Sequence, residues 1–271
     1  MEQKQQTSIL VWIILVILLV LRIIFPILFT IISFGESSNW VIFTIQVGTY
    51  LLLVLLIIIE RTRLDLYHID KGSMVLLVLF STWFRGMSFE APITILIGII
   101  FWSINILLVC FFIWRKVSLQ ETNMKWVLIS IITSVLLAVP LAIMNSLQVS
   151  LFDNNKSLPP LSFFYYVQSI VRNVSQVAIF EEPVFRGILW GKLRERNVDE
   201  RKILIIQAGL FWLAHIDRIF RPITLFITIP IMSIYLGIIA WKSRSIASPI
   251  IAHGLLNATG SILQYRFFNY A

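Results

Sequence analysis

Long apolar runs recur along the whole chain and are separated by short polar segments. A helix needs about 20 mostly apolar residues to cross the hydrocarbon core of a bilayer. Runs of that length occur near residues 8–33, 39–59, 91–114, 126–147, 222–240 and 246–266. Shorter or mixed runs occur near residues 74–89, 163–190 and 203–216. The pattern predicts an all-α fold, a polytopic transmembrane helical bundle with about 8–9 membrane helices.

One long polar segment, residues 148–162, interrupts the apolar pattern. It contains a Pro-Pro pair and several Asn and Asp residues, which disfavour a helix. A boundary also falls near residues 120–126, because every polar constellation with candidate chemistry follows it. We therefore divide the chain into residues 1–125, N-terminal transmembrane helices without an assigned role, and residues 126–271, the predicted functional core.

Composition indicates a membrane protein. Of 271 residues, 58% are hydrophobic and 13% charged, and the mean hydropathy is +0.89, whereas soluble domains carry about 25% charged residues. The net charge of +8 would suggest nucleic acid in a soluble chain, but here Lys and Arg lie mostly in short loops, where they indicate orientation. We expect a multi-pass protein of the plasma membrane with the lipid bilayer as its partner and no nucleic acid. The single cysteine, Cys110, excludes an internal disulfide.

Two adjacent carboxylates, Glu181 and Glu182, lie within one of the apolar runs. An ionisable group in hydrocarbon is costly, so it is a functional candidate by default. Glu182 and Arg186 are one helical turn apart, which permits an ion pair in which Arg186 holds Glu182 ionised and fixes its rotamer. Glu181 projects about 100° away around the helix, where it is free to face a water. Pro183 lacks an N–H and should kink the helix or begin a new one.

Two further pairs of polar or aromatic residues lie in apolar segments, Phe211 with His215 and His253 with Asn257. The members of each pair are one helical turn apart and share a face. A histidine N–H and an asparagine amide directed at one point suit a developing oxyanion, and a desolvated glutamate suits a general base. These residue types favour water activation for peptide-bond hydrolysis. Taken singly, either histidine is better explained by a hydrogen bond between helices.

Other polar residues carry weaker signals. Gln168, Arg172 and Gln176 form a stripe at one-turn spacing. The first two are candidates for a substrate cavity together with Phe211, although a hydrogen-bonded seam between helices is the simpler explanation. Arg22 and Arg85 are isolated in apolar runs, where snorkelling of the side chain to the interface explains them.

In their order along the chain, the three motifs resemble those of the CPBP family, the CAAX proteases and bacteriocin-processing (Abi) proteins, which includes type II CAAX prenyl endopeptidases. The family pattern is a diglutamate with an arginine four residues on, then Phe-x-x-x-His, then His-x-x-x-Asn, and all three are intact here. The resemblance covers roughly residues 126–266. It implies an all-helical intramembrane protease with a cavity open to the cytoplasm. It also implies that Glu181 and His215 activate water, that His253 and Asn257 bind the oxyanion, and that Glu182 and Arg186 support them.

The same residue types suit a metal. Two Glu and two His side chains could ligate Zn²⁺, and in a metal-dependent enzyme the ligands would be Glu181, His215 and His253. The chain has no His-Glu-x-x-His motif, so a zinc site would have to be assembled from three segments. We therefore favour a site without a metal cofactor, with Zn²⁺ as the alternative.

Two other functional classes fit parts of the pattern. Broken helices with charges at the membrane midplane suit a transporter or channel, but no matching interrupted segments recur in the N-terminal half. A non-catalytic membrane scaffold or immunity protein would not need Glu181, His215, His253 and Asn257 together. The Ile-, Asn- and Lys-containing composition hints at a low-GC bacterium, a cell with few prenylated proteins. We therefore expect a peptide or membrane-protein substrate, in peptide maturation or bacteriocin self-immunity. The pattern specifies no oligomeric state.

Overall fold

The computed structural model describes residues 2–31, 38–81, 91–152 and 162–267. All regular structure in these residues is helical, which confirms the predicted all-α fold. Arg85 and most of the predicted loop 148–162 lie outside the described residues.

Within these ranges the chain forms eleven α-helices and four shorter helical stretches of other types. The α-helices are α1 (Glu2–Ile31), α2 (Ser38–Ile59), α3 (Lys71–Phe80), α4 (Ala91–Trp114), α5 (Met124–Phe152), α6 (Phe163–Asn173), α7 (Ile179–Glu182), α8 (Trp190–Glu195), α9 (Glu200–Leu213), α10 (Ile229–Ser243) and α11 (Ala247–Phe267). π-Helical stretches occupy Val174–Ala178, Pro183–Leu189 and Thr224–Thr228, and a 3₁₀-helix occupies Ile216–Phe220.

The outer surface of the bundle is apolar. In the described part of the chain, Met124–Leu147 and Thr224–Ser243 are long and apolar enough to cross a membrane by length and composition. Shorter apolar stretches are Ile9–Ile24, Val47–Ile59, Lys71–Phe80 and Gly98–Trp114. Large apolar side chains stand exposed on these helices, such as Ile113 at 73% and Leu136 at 65%. Such faces are typical of lipid contact, and the larger predicted number of crossings stays a prediction.

The diglutamate lies on a continuous helical path that runs through α6, α7 and α8. Two π-helical stretches join these helices and flank α7 on both sides. Pro183 opens the second π stretch with helical dihedral angles, φ −61° and ψ −34°. Of the two outcomes predicted for Pro183, the structure therefore has a new helical stretch. The missing N–H falls where the hydrogen-bond register changes, and π turns of this kind are frequent at functional sites.

Packing brings the two halves of the chain together around this path. α5 and α6 both pack along α11, and α9 packs along α10. α1 packs against α2 and also contacts the stretches 183–189 and 216–220. The buried face of α1 is a stripe at helical spacing, made of Val11, Ile14, Leu15 and Leu18. The N-terminal helix thus reaches the segment that follows the diglutamate.

At one end of the bundle, charged side chains around α8 form a group that we call the ionic collar: Glu60, Arg63, His68, Lys192, Arg194, Glu195 and Glu200. Arg63 and Lys192 each donate to one oxygen of Glu195, both at 2.5 Å. Arg194 donates to Glu200 at 2.7 Å and to Nε2 of His68 at 2.9 Å. These contacts hold the loop after α2 against α8.

The close contact between α8 and the loop after α2 depends on a glycine. A Cβ added to Gly191 would lie 2.3 Å from the ring of Tyr67 and 2.8 Å from the carbonyl oxygen of Leu66. Real Cβ contacts are longer than this, so only glycine lets the loop lie directly on α8.

Candidate active site

The side chain of Glu182, at the end of α7, is enclosed and bonded to two basic side chains. Its Oε1 accepts hydrogen bonds from Nη1 of Arg186 at 3.2 Å and from Nδ1 of His253 at 2.7 Å. Both side chains of the Glu182–Arg186 pair are 0% exposed. Arg186 also donates to the carbonyl and hydroxyl oxygens of Ser233, at 3.3 and 3.2 Å. Its guanidinium lies 4.2 Å from the ring centre of Phe211, so that the aromatic ring covers the cation.

Glu181 points to a different side of the same helix. Its side chain is 10% exposed, and its Oε1 lies 3.5 Å from Nη1 of Arg22 in α1. Its Oε2 has no hydrogen-bond partner among the described residues. A buried polar atom without a protein partner is usually completed by a water or a ligand. Oε2 of Glu182 is likewise without a partner, but that side chain is 0% exposed, so Glu181 is the carboxylate of the pair that a water can reach.

Both histidines are held through Nδ1. The Nδ1 of His215 lies 2.8 Å from the carbonyl oxygen of Phe211, and that of His253 lies 2.7 Å from Oε1 of Glu182. Carbonyl and carboxylate oxygens can only accept, so Nδ1 carries the hydrogen in each ring. The Nε2 of each neutral ring is then a hydrogen-bond acceptor.

A cavity of about 440 Å³ opens beside Glu181. This volume lies within the range of about 300–1,000 Å³ that is usual for ligand sites. Four candidate catalytic residues border it: Glu181, His215, His253 and Asn257. The remaining polar lining comprises Asn145, Asn173, Arg218, Thr224, Thr228, Ser261 and Gln264, and the apolar lining comes mainly from α5, α10 and α11.

The structure brings most of the predicted site residues together. The four predicted catalytic residues come from three separate segments and border one cavity, as does Phe211. Gln168 and Arg172, the other predicted cavity residues, do not border it, whereas Asn173 on the same helix does. Glu182 is also absent from the lining, because its side chain is enclosed with Arg186 and His253.

Arg22 is a site residue that the sequence reasoning missed. The prediction that it snorkels to the interface is wrong, because its side chain faces inward, where it lies 3.5 Å from Glu181 and 5.7 Å from the ring centre of Phe180. One signal was available in the sequence. Arg22 follows Leu18 by four residues, which continues the buried stripe of α1. The stripe is hard to recognise because the run 9–21 of α1 is apolar on every side.

Asn145 in α5 is a second residue that was missed. Its Oδ1 accepts hydrogen bonds from the hydroxyls of Thr224 and Thr228 at 3.1 and 2.9 Å. These bonds tie α5 to the π stretch before α10, next to the cavity. An amide in a long apolar run was the available signal, the same kind that drew attention to the two histidines.

The site also has side chains of the kinds that bind metal ions. Among the residues that the structure describes, no three His, Cys, Asp or Glu side chains are grouped so as to hold a metal ion. The side chains at the cavity, two imidazoles and a carboxylate, are nevertheless of the types that Zn²⁺ binds. A metal-independent site therefore stays a prediction, and chelation tests it.

The segment that carries the three motifs also matches a known protein family. A family model described as "Type II CAAX prenyl endopeptidase Rce1-like" matches residues 163–259. Residues 163–259 are an Rce1-like domain. The match contains all three motifs, so the predicted family is confirmed for this part of the chain. No curated protein and no solved structure matches the chain.

The matched family indicates a location and an activity, while two residues of the site lie outside the match. The Rce1-like family is embedded in membranes and implies a CAAX-type intramembrane protease activity. Arg22 and Asn145 both lie outside the matched residues, although one contacts Glu181 and the other borders the cavity.

Proposed function

We propose that this chain is an intramembrane endopeptidase that hydrolyses a peptide bond with a water activated by Glu181 and His215. The main support is that Glu181, His215, His253 and Asn257, from three distant segments, border one cavity in an Rce1-like domain. Hydrolysis by activated water needs a base, a second proton carrier and donors for the oxyanion. The residue types around the cavity match that requirement.

In the first step, Glu181 takes a proton from the water, and the water oxygen bonds to the carbon of the scissile carbonyl. The unpartnered Oε2 of Glu181 is the atom with room for this water. His215 presents an unprotonated Nε2 because its Nδ1 donates to Phe211, so it can hold the water or accept the proton next. The carbonyl π electrons move to the oxygen, which becomes the oxyanion.

His253 and Asn257 bind this oxyanion. Since Nδ1 of His253 already donates to Glu182, its Nε2 can donate only when the ring is an imidazolium. The ring therefore takes up this proton from solvent before the attack and keeps it through the reaction. The carboxylate of Glu182 stabilises that positive charge, much as a buried carboxylate orients and stabilises the histidine of a serine protease. Arg186 holds Glu182 in place. The intermediate collapses when the proton taken by Glu181 passes to the leaving nitrogen, which breaks the C–N bond and releases an acid and an amine.

We also propose the setting of the reaction: a multi-pass protein of the plasma membrane that acts on a peptide or membrane-protein substrate, in peptide maturation or bacteriocin self-immunity. The cavity supports a peptide substrate, because about 440 Å³ lined by both apolar and amide groups suits a few residues of extended chain. A farnesylated peptide with a C-terminal CAAX sequence, compared with its unprenylated form, tests the alternative substrate.

The proposal is tested by comparing the peptides released from membranes that carry the wild-type chain or Glu181→Gln. Glu121→Gln is the matched control, because Glu121 pairs with Lys71 at the surface and its side chain is 81% exposed. We expect specific products with the wild type and Glu121→Gln, and none with Glu181→Gln. Each arm is repeated with a zinc chelator. Unchanged cleavage favours the glutamate mechanism, and lost cleavage that added Zn²⁺ restores favours metal ligation by Glu181, His215 and His253.

One result of the same experiment would contradict the proposed protease activity. If the three peptide profiles are identical at equal protein levels, with prenylated and unprenylated probes alike uncleaved, the protease assignment fails. The alternative is then a non-catalytic membrane scaffold or immunity protein of the same fold.

A further inference from the structure

The two adjacent glutamates each have an arginine, but the arginines come from different halves of the chain. Glu182 pairs with Arg186 at 3.2 Å, one helical turn along its own helical path. Glu181 pairs with Arg22 at 3.5 Å, a residue 159 positions earlier in the sequence. Arg22 lies outside the residues that match the Rce1-like family model. The carboxylate proposed to activate water therefore depends on a cation from the N-terminal region.

The position of Arg22 on α1 is not that of a lipid-facing residue. Val11, Leu15 and Leu18 of α1 are fully buried, and Arg22 continues that stripe by one more turn. The lipid-facing side of α1 carries Ile13, Val16, Ile17, Val20 and Ile24, all at least 42% exposed. An arginine placed on the inner stripe of an apolar helix needs a partner there, because a charge in hydrocarbon is costly.

The contacts of the guanidinium show what that partner is. One nitrogen of Arg22 reaches Oε1 of Glu181, and the guanidinium carbon lies 5.7 Å from the ring centre of Phe180. Its Nε is buried without a hydrogen-bond partner. Since Glu181 receives the only ion pair found for Arg22 in the described residues, the position of α1 is coupled to that carboxylate.

The other groups that act electrostatically on Glu181 are His215, His253 and Arg186. All three have another bond: His215 with Phe211, His253 with Glu182, and Arg186 with Glu182 and Ser233. Arg22 differs from them because the carboxylate with which it forms its ion pair is that of Glu181 itself. Among the described residues, its removal would take away the one permanently charged side chain near Glu181 that is not also paired with Glu182.

We propose that Arg22 is a positioning residue for Glu181, which it keeps ionised and anchored by Oε1 so that Oε2 remains available at the cavity. The site is then completed by a helix outside the Rce1-like domain. This inference deepens the proposed function and rests on it for its catalytic meaning, whereas the ion pair itself can be tested without a substrate.

The test uses dicyclohexylcarbodiimide, which modifies uncharged carboxylic acids in apolar surroundings. The acid O–H adds across one C=N bond, and the adduct rearranges to an N-acylurea that peptide mass spectrometry locates. Labelling at Glu181 is measured at neutral pH in membranes carrying the wild type, Arg22→Gln, Arg22→Lys and Arg115→Gln, with Glu181→Gln as the blank. Arg115 is the matched control, since it is exposed at the end of α4 against the ring of Trp114.

We expect Arg22→Gln to raise labelling of Glu181 several-fold above the wild type, because loss of the neighbouring cation favours the uncharged carboxylic acid that the reagent modifies. Arg22→Lys restores a positive charge and should label like the wild type, as should Arg115→Gln. If Arg22→Gln does not accumulate, Arg22→Met, which suits an apolar helix, takes its place. Equal labelling in the wild type and Arg22→Gln, or failure of Arg22→Lys to rescue, overturns the inference.

A second measurement separates this inference from the proposed function. With the peptide whose release depends on Glu181, Arg22→Gln should lower kcat and leave KM unchanged, because Arg22 acts on Glu181 and not on the substrate. If labelling follows the charge at position 22 but Glu181→Gln leaves all peptides unchanged, the ion pair stands and the protease assignment fails. If Glu181→Gln abolishes cleavage while Arg22→Gln changes neither labelling nor kcat, the protease stands and the role of Arg22 fails.

Discussion

The ionic collar and the cavity both gather charged side chains, and they differ in how those side chains are bonded. In the collar, Arg63 and Lys192 share Glu195, while Arg194 binds Glu200. Each of these charges faces an opposite charge at 2.5–2.7 Å. At the cavity, Glu181 has a single cation at 3.5 Å and an oxygen without a partner. The two histidines there each bond through Nδ1 alone in the described structure.

The difference shows that a cluster of charges is a poor indicator of a site, whereas ionisable side chains that border an open cavity are a better one. The diglutamate contains both cases. Glu182 is enclosed and paired like a collar residue, and Glu181 is open to the cavity. Adjacent residues can differ so strongly because a helix turns about 100° between them.

The strongest test on the cavity side is Asn257→Ala. If the amide of Asn257 binds the oxyanion, its loss should lower kcat by about 10²–10³-fold, the usual cost of one such donor. The unfolding temperature should change little, since the side chain borders open space. Asn145→Ala is the contrasting variant, because that amide bonds Thr224 and Thr228 and should affect stability more than kcat. Wild-type kcat in Asn257→Ala would remove it from the mechanism.

On the collar side, Gly191→Ala should destabilise the fold without affecting chemistry. The added Cβ would lie 2.8 Å from a backbone oxygen, so the loop must move, at a cost of about 1–3 kcal/mol. Gly209→Ala in α9 is the control, since nothing lies within 4 Å of its Cβ and alanine favours a helix by about 1 kcal/mol. Activity per folded molecule should stay at the wild-type level in both. A selective loss of kcat in Gly191→Ala would mean that the collar is coupled to the site.

An effect of similar size that depends on pH is expected from His68 in the collar loop. Burial, with the charges of Arg194 and Arg244, lowers the pKa of His68 from 6.5 to about 3. As the pH falls below 6.5, the unfolded chain takes up the proton first, so stability declines from pH 7 towards pH 3. Between pH 7 and pH 5 this amounts to about 2 kcal/mol.

His68→Asn checks this directly, because asparagine tolerates the positive φ of 57° at this position. Unfolding in detergent is followed at pH 7 and pH 5 for both proteins. The wild type should lose more stability than the variant over this interval. Parallel losses would show that His68 does not remain neutral in the folded collar.

The sequence predicted the site residues better than it predicted their surroundings. The motifs identified Glu181, His215, His253 and Asn257 because polar groups are rare in apolar helices, and the structure brings them to one cavity. Arg22 was misread, since helical spacing alone does not reveal which side of the apolar run 9–21 is buried. For Pro183 the sequence predicted either a kinked helix or a new one. It could not decide between them, because the π-helical register of this stretch depends on packing against α1 and α9. Gln168 and Arg172 do not border the cavity, which is compatible with the simpler explanation of their spacing, a hydrogen-bonded seam between helices.

The most direct test of the central claim compares Glu181→Gln with Glu182→Gln, two isosteric changes at adjacent positions. The rate of release of the Glu181-dependent peptide and the unfolding midpoint are measured for both. We predict that Glu181→Gln abolishes cleavage and lowers the midpoint less than Glu182→Gln does, because Arg22 is 23% exposed and its ion pair with Glu181 is longer, at 3.5 Å. Glu182→Gln should destabilise the fold by about 3–5 kcal/mol, because it leaves the buried guanidinium of Arg186 without its carboxylate. Equal destabilisation by both changes, or full cleavage by Glu181→Gln, would contradict the division of roles between the two glutamates.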